Sequence, residues 1–163
     1  MDNIIDVATG EVKVGRNNKI LVSNAIGSCV AVILYDNKNK SGAIAHVMLP
    51  GKAPDKTDRH DEMKYAYNAI NEILRRMTKS GPSGSIFKGF IIGGGNVLRD
   101  KNDTICKDNI KSVTELLQTN KIIILAKAIG GTERRSVSLD ISSGVIRYSE
   151  GDSREKILWE FKG

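Results

Sequence analysis

The sequence predicts an α+β fold: one compact α/β sandwich of mostly antiparallel or mixed strands with two main helices. Three observations point there. The chain has 163 residues, 40% of them hydrophobic and 27% charged, which suits one soluble domain able to bury a core without staples. Strand-like runs gather at both ends of the sequence with helical patterns between them, whereas a doubly wound sheet would alternate the two. No linker, repeat or low-complexity tract divides the chain, so residues 1–163 read as a single domain.

The elements follow in order. "KILVSNA" (19–25) is a short apolar run. "CVAVILY" (29–35) is continuous, apolar and β-branched, as for a strand buried on both faces. "DNKN" (36–39) is a polar turn, and "GAIAHVML" (42–49) is a second apolar strand stopped by Pro50-Gly51. After a polar loop, "MKYAYNAINEILRRM" (63–77) places Met63, Ala66, Tyr67, Ile70, Ile73 (or Leu74) and Met77 on one helical face. Asp58 suits its N-cap, and Arg75 and Arg76 suit its last turn. "SIFKGFII" (85–92) reads as a strand running into Gly93-Gly94-Gly95. A second helix covers about Asp108 to Gln118, and "KIIILAKAI" (121–129) is a buried strand ending at Gly130-Gly131. "SVSLDI" alternates, turns at "SSG" and returns as "VIRYS", a hairpin; "KILWEF" (156–161) is a last strand.

Composition narrows the function classes. The formal net charge is +6, which suits an acidic partner. Aromatics are only 5%, the basic residues are scattered among 19 acidic ones, and no RNP or zinc-finger spacing occurs, so nucleic acid is not the expected partner. No stretch approaches a bilayer span, and the N-terminus lacks an export signal, so a cytoplasmic protein that is not membrane-embedded is expected. His60 stands beside Asp58 and Asp61 without good ligand spacing, and no metal or cofactor is expected. The triple glycine lacks a following Gly-Lys-Ser/Thr; a tight turn or a close backbone approach accounts for it.

Cys29 and Cys106 are the only cysteines, and a disulfide is not expected in a reducing compartment. Cys29 sits behind Gly27-Ser28 at the mouth of an apolar strand, and His46 interrupts the next one. A four-residue loop "DNKN" would pair Tyr35 with Lys40 and set Cys29 directly opposite His46, with Cβ atoms about 4.5–5.5 Å apart. A loop one residue longer or shorter would place them on opposite faces. Such a pair is useful chemically. The imidazole stabilises the thiolate nucleophile, then acts as general acid and base, with the N–H groups of Gly27, Ser28 or Cys29 as oxyanion donors. The other reading is that Cys29 and His46 are packed core residues.

"GSCVAVILYD" followed by "GAIAHVMLP" resembles the CheD family of chemoreceptor glutamine deamidases. "KY" (64–65), "GGGNVL", Asn109, and Gly130, Gly131, Arg135 and Val137 of "GGTERRSV" extend the resemblance over nearly the whole chain. It implies a sandwich similar to the deamidase domain of cytotoxic necrotizing factors, and hydrolysis of a protein glutamine side chain to glutamate with release of ammonia. It implies Cys29 as nucleophile and His46 as general acid/base. Ser23 stands where the family has a threonine that orients the histidine. Cys106 and Asp108 stand where the family tends to carry glycine and a basic residue. Arg135 and Asn109 are candidate contacts to substrate or partner. The implied partners are the acidic cytoplasmic helices of chemoreceptors, attracted to a +6 protein at low salt, and a CheC-type phosphatase. In a second reading the chain is mainly a binding module for that phosphatase. No cofactor is implied.

Overall fold

The computed structural model describes residues 3–162. Along the chain run β1 (Ile4–Asp6), β2 (Val12–Arg16), β3 (Ile20–Ile26), β4 (Val30–Asp36), β5 (Ser41–Val47), α1 (Arg59–Glu62), α2 (Ala66–Ser80), β6 (Lys88–Gly93), α3 (Ile105–Thr119), β7 (Ile123–Ile129), β8 (Arg135–Asp140), β9 (Val145–Glu150) and β10 (Lys156–Glu160). The strands form two five-stranded sheets, ordered β1-β3-β8-β9-β10 and β2-β5-β4-β6-β7. Antiparallel pairs dominate; β1–β3 and β6–β7 are parallel. The α+β sandwich with two main helices is therefore observed.

Two cores divide the side chains of β4 between them. All seven of its residues are buried, as its unbroken apolar run predicts. Val30, Val32 and Leu34 face α2 and α3, where they meet Ile70, Ile73, Val113 and Leu117. Ala31, Ile33 and Tyr35 face the other sheet, where they meet its Leu21, Leu139 and Ile146 beside Phe90 of β6. Each large apolar side chain so buried contributes about 1.5–3 kcal/mol, so this strand is the anchor from which its flanking residues are positioned. Trp159 joins Phe90 and Phe161 in an aromatic cluster against the same inner face.

Several boundaries differ from the sequence reading, each for a local reason. The first main helix starts at Ala66, because the Lys64 carbonyl accepts from the N–H groups of Met48 and Leu49 and Tyr65 bridges to Leu49. Residues 63–65 are thus held off the helical path, and Asp58 precedes only the four-residue α1. The second helix begins at Ile105, a turn earlier than its polar start suggests. β7 is an edge strand, with Ile123 58% exposed, where a buried strand is expected from its composition. β1 and β2 are two further strands, and the Val12-Lys13-Val14 alternation is the sequence signal for the second.

The β4–β5 register also differs. Asp36 pairs with Ser41 and Ala31 with His46, so the loop is residues 37–40. Lys40 takes a left-handed conformation (φ 50°) that a ladder residue does not adopt. The Asp36 carboxylate holds both the backbone and the side-chain amide of Asn39. The shift is two residues, so parity is unchanged, but Ala31 and not Cys29 stands opposite His46, and the ladder begins at Val30, one residue past Cys29.

Candidate functional site

The site is assembled where the two sheets face each other at the N-terminal end of β4. His46 is fully buried on the inner face of β5, and Ser23 is 1% exposed on the inner face of β3. Beyond Ser23 the β3–β8 register shifts before Ile26, and Ala25 is left-handed (φ 56°). This is a bulge beside a site, as bulges often are. The Ser23 hydroxyl donates to the Val7 carbonyl at 2.7 Å, and its oxygen lies 2.9 Å from His46 Nδ1.

These two contacts fix the tautomer. A serine hydroxyl has one proton, and here it is spent on Val7. Ser23 Oγ must then accept from Nδ1–H, which leaves Nε2 of the neutral ring with a free lone pair. Nε2 is buried and has no hydrogen-bond partner, the Cys29 thiol included. Burial pushes the His46 pKa down from its ordinary value, and the Val7 backbone opposes that shift. The resting ring is therefore a neutral base whose acceptor nitrogen is Nε2.

Cys29 lies in the bend just before β4 and is half-buried, against the inter-sheet core. Burial pushes its thiol pKa up, and its own backbone N–H partly offsets this. The three carbonyls of its loop are all held from outside. Gly27 O accepts from Gly95 N at 2.9 Å, Cys29 O from Gly94 N at 2.8 Å, and Ser28 O from Asn109 Nδ2 at 2.9 Å. The triple glycine is thus a close backbone approach. A side chain at Gly93 (φ 124°) would collide with the Cys29 carbonyl and Ile26.

Arg135 and Asn109, the candidate contacts to substrate or partner, are both buried. Arg135 is 6% exposed; its Nη1 donates to Gly130 O at 2.8 Å and to Gly93 O at 3.4 Å, and its Nε lies 3.7 Å from Glu150. It holds the glycine loops that in turn hold Cys29. Asn109 is fully buried among the helix-side core positions of α3. His60 is exposed, and among the described residues no group of three or more His, Cys, Asp or Glu side chains gathers as a metal site would need. Cys106 is 4% exposed on the inward face of α3. Sequence reasoning does not find Val7, whose contribution is a backbone carbonyl, or the pinning role of Gly94 and Gly95.

Fold and site together define a class: a two-sheet sandwich whose sheets share a buried Ser–His hydrogen bond beside a half-buried thiol. Comparison with known proteins is more specific. The family model described as CheD chemotactic sensory transduction matches residues 48–150. A relative from Chlorobium luteolum, described as a probable chemoreceptor glutamine deamidase CheD, is 34% identical over 153 residues, 94% of this chain and 76% of its own. One from Thermotoga maritima, described as chemoreceptor glutamine deamidase CheD, is 35% identical over 140 residues, 86% of this chain and 87% of its own. The chain belongs to the CheD family.

Burial of His46 makes stability depend on pH with a definite sign. Its folded pKa is lowered from 6.5, so near that pH the unfolded chain takes up a proton that the folded chain refuses. Stability is fully present above about 6.5 and is lost as pH falls from there through the folded value. The urea midpoint should fall between about pH 7.5 and 5.5, and fall less in His46→Asn, which keeps a donor for Ser23 and does not titrate. Equal falls in the two proteins would contradict this assignment.

Proposed function

We propose that this protein is a cysteine-dependent protein-glutamine deamidase acting on the cytoplasmic helices of chemoreceptors. The observation that carries the proposal is the Ser23-oriented His46, with Nε2 unpartnered between the sheets, where Cys29 packs against the inter-sheet core. Membership of a family whose relatives are described as chemoreceptor glutamine deamidases supplies the substrate class. In this reading the sandwich is of the kind found in the deamidase domain of cytotoxic necrotizing factors. Among the described residues no helix is long and apolar enough to cross a membrane, and the net charge of +6 favours encounter with an acidic coiled coil.

The chemistry is acyl transfer. The resting pair is a neutral thiol and a neutral imidazole, since burial disfavours the charged form of each. A substrate glutamine entering beside Cys29 is attacked at its amide carbon by sulfur as the thiol proton passes to Nε2. The Cys29 N–H faces the developing oxyanion. The imidazolium, steadied by Ser23, returns its proton to the amide nitrogen, which leaves as ammonia. A thioester remains. Water then gives a proton to Nε2, its oxygen attacks the thioester carbon, and the thiol leaves with that proton, releasing glutamate.

Two outcomes follow. Incubation of a chemoreceptor cytoplasmic fragment with the protein should raise the mass of specific glutamine-containing peptides by about 1 Da with ammonia release. Cys29→Ala and His46→Ala should abolish both changes while retaining the native circular dichroism. Full activity in either variant would refute the assignment. Separately, alkylation of Cys29 by iodoacetamide should rise with pH through a midpoint above that of an ordinary thiol, because its pKa is raised. A reactive plateau below neutral pH would instead reveal a preformed thiolate–imidazolium pair.

A further inference from the structure

Asn109 is a polar residue on an apolar stripe. It shares the inward face of α3 with Cys106, Val113 and Leu117 and is fully buried. Its Nδ2 lies 2.9 Å from the Ser28 carbonyl and 2.9 Å from the Met48 carbonyl. Two carbonyls can be satisfied only by the two protons of one NH2 group, so the amide orientation is forced. Its Oδ1 is then buried without a partner, an arrangement that opposes stability and calls for a separate reason.

The two carbonyls belong to the two halves of the site. Ser28 immediately precedes Cys29, and Met48 lies two residues beyond His46, just past the end of the strand that carries it. In a planar trans peptide the C=O and the following N–H point in opposite directions. Holding the Ser28 carbonyl toward α3 therefore turns the Cys29 N–H away from α3. The flanking carbonyls, of Gly27 and Cys29, are held by backbone donors of Gly95 and Gly94. The Ser28 carbonyl is held by a side chain alone.

We infer that Asn109 is the positioning residue of the oxyanion donor: its amide sets the Ser28–Cys29 peptide so that the Cys29 N–H faces the reacting carbonyl. With its second proton it ties that peptide to Met48, at the exit of the strand carrying His46. The inference rests on Cys29 being the nucleophile, as proposed above.

The test exploits the difference between two reactions of one sulfur. Alkylation by iodoacetamide is a displacement with no oxyanion; deamidation passes through one. In Asn109→Leu, close in volume, kcat for ammonia release from a chemoreceptor cytoplasmic fragment should fall about 100-fold, as for loss of one oxyanion donor. KM and the limiting high-pH rate of Cys29 alkylation should stay within about twofold of the parent, since displacement by a fully ionised sulfur forms no oxyanion. Where Asn109→Leu does not fold, the same measurements are made on Asn109→Ser, whose single hydroxyl can serve only one carbonyl, and the same split is expected. A kcat within threefold of the parent overturns the inference, as does a parallel loss of alkylation and deamidation, which marks a general structural role. Cys29→Ala is run beside it. An inactive Cys29→Ala with a fully active Asn109 variant overturns this inference alone; an active Cys29→Ala overturns the nucleophile and the inference together.

Discussion

A hydrogen bond between two sheets organises this molecule's candidate chemistry. His46 belongs to one sheet and Ser23 to the other, and the 2.9 Å contact between them is buried. Its direction is set by a third group, the Val7 carbonyl, which takes the only proton Ser23 has. The sandwich must close for the three to meet, since Val7 follows the parallel strand that pairs with β3. Fold and site are thus one constraint: the inter-sheet core of Leu21, Ile33, Ile44, Phe90 and Leu139 brings a base into a defined tautomer. A threonine at position 23 would have a narrower choice of rotamer; here the second bond to Val7 restricts the serine instead.

The nucleophile loop is positioned by a different logic, one of backbone atoms. A bend outside a strand has no ladder to orient its peptides. In this protein three outside donors do so, from Gly94, Gly95 and Asn109. The glycine loop that supplies two of them is tied to Gly130 and Gly131 and to the Arg135 guanidinium. A buried arginine is costly unless its charge and donors are met; here the glycine-turn carbonyls accept from Nη1, while Nε, 3.7 Å from Glu150, makes no hydrogen bond. Rigidity therefore passes from β8 through two glycine turns to the carbonyl of Cys29. A loop pinned in this way can present N–H groups without reorganising during a reaction.

Much of this was legible from sequence because it depends on side-chain periodicity. The unbroken apolar run of β4, the hairpin of β8 and β9, and the amphipathic stripes of α2 and α3 follow from patterns with fixed periods. A shared face for Cys29 and His46 needs only the parity of the β4–β5 loop, and a register shift of two leaves that parity unchanged. The shift itself was hidden, because it depends on a left-handed Lys40 and on Asp36 turning its carboxylate to Asn39. Val7 was equally hidden: a carbonyl oxygen is the same in every residue. Arg135 and Asn109 were visible as unusual residues, but an exposed contact and a buried clamp look alike until burial is known. Ser23 drew notice only through family resemblance, since serine in a short strand has many uses.

The central claim is that Ser23 and Val7 hold His46 as the tautomer with its proton on Nδ1 and a bare Nε2. Nitrogen NMR of the labelled imidazole at neutral pH reads this directly. The account predicts a proton-bearing Nδ1 and an unprotonated Nε2 in the parent protein, with the tautomer preference relaxed in Ser23→Ala. A proton resident on Nε2 in the parent protein would contradict it, because no base would then face the thiol.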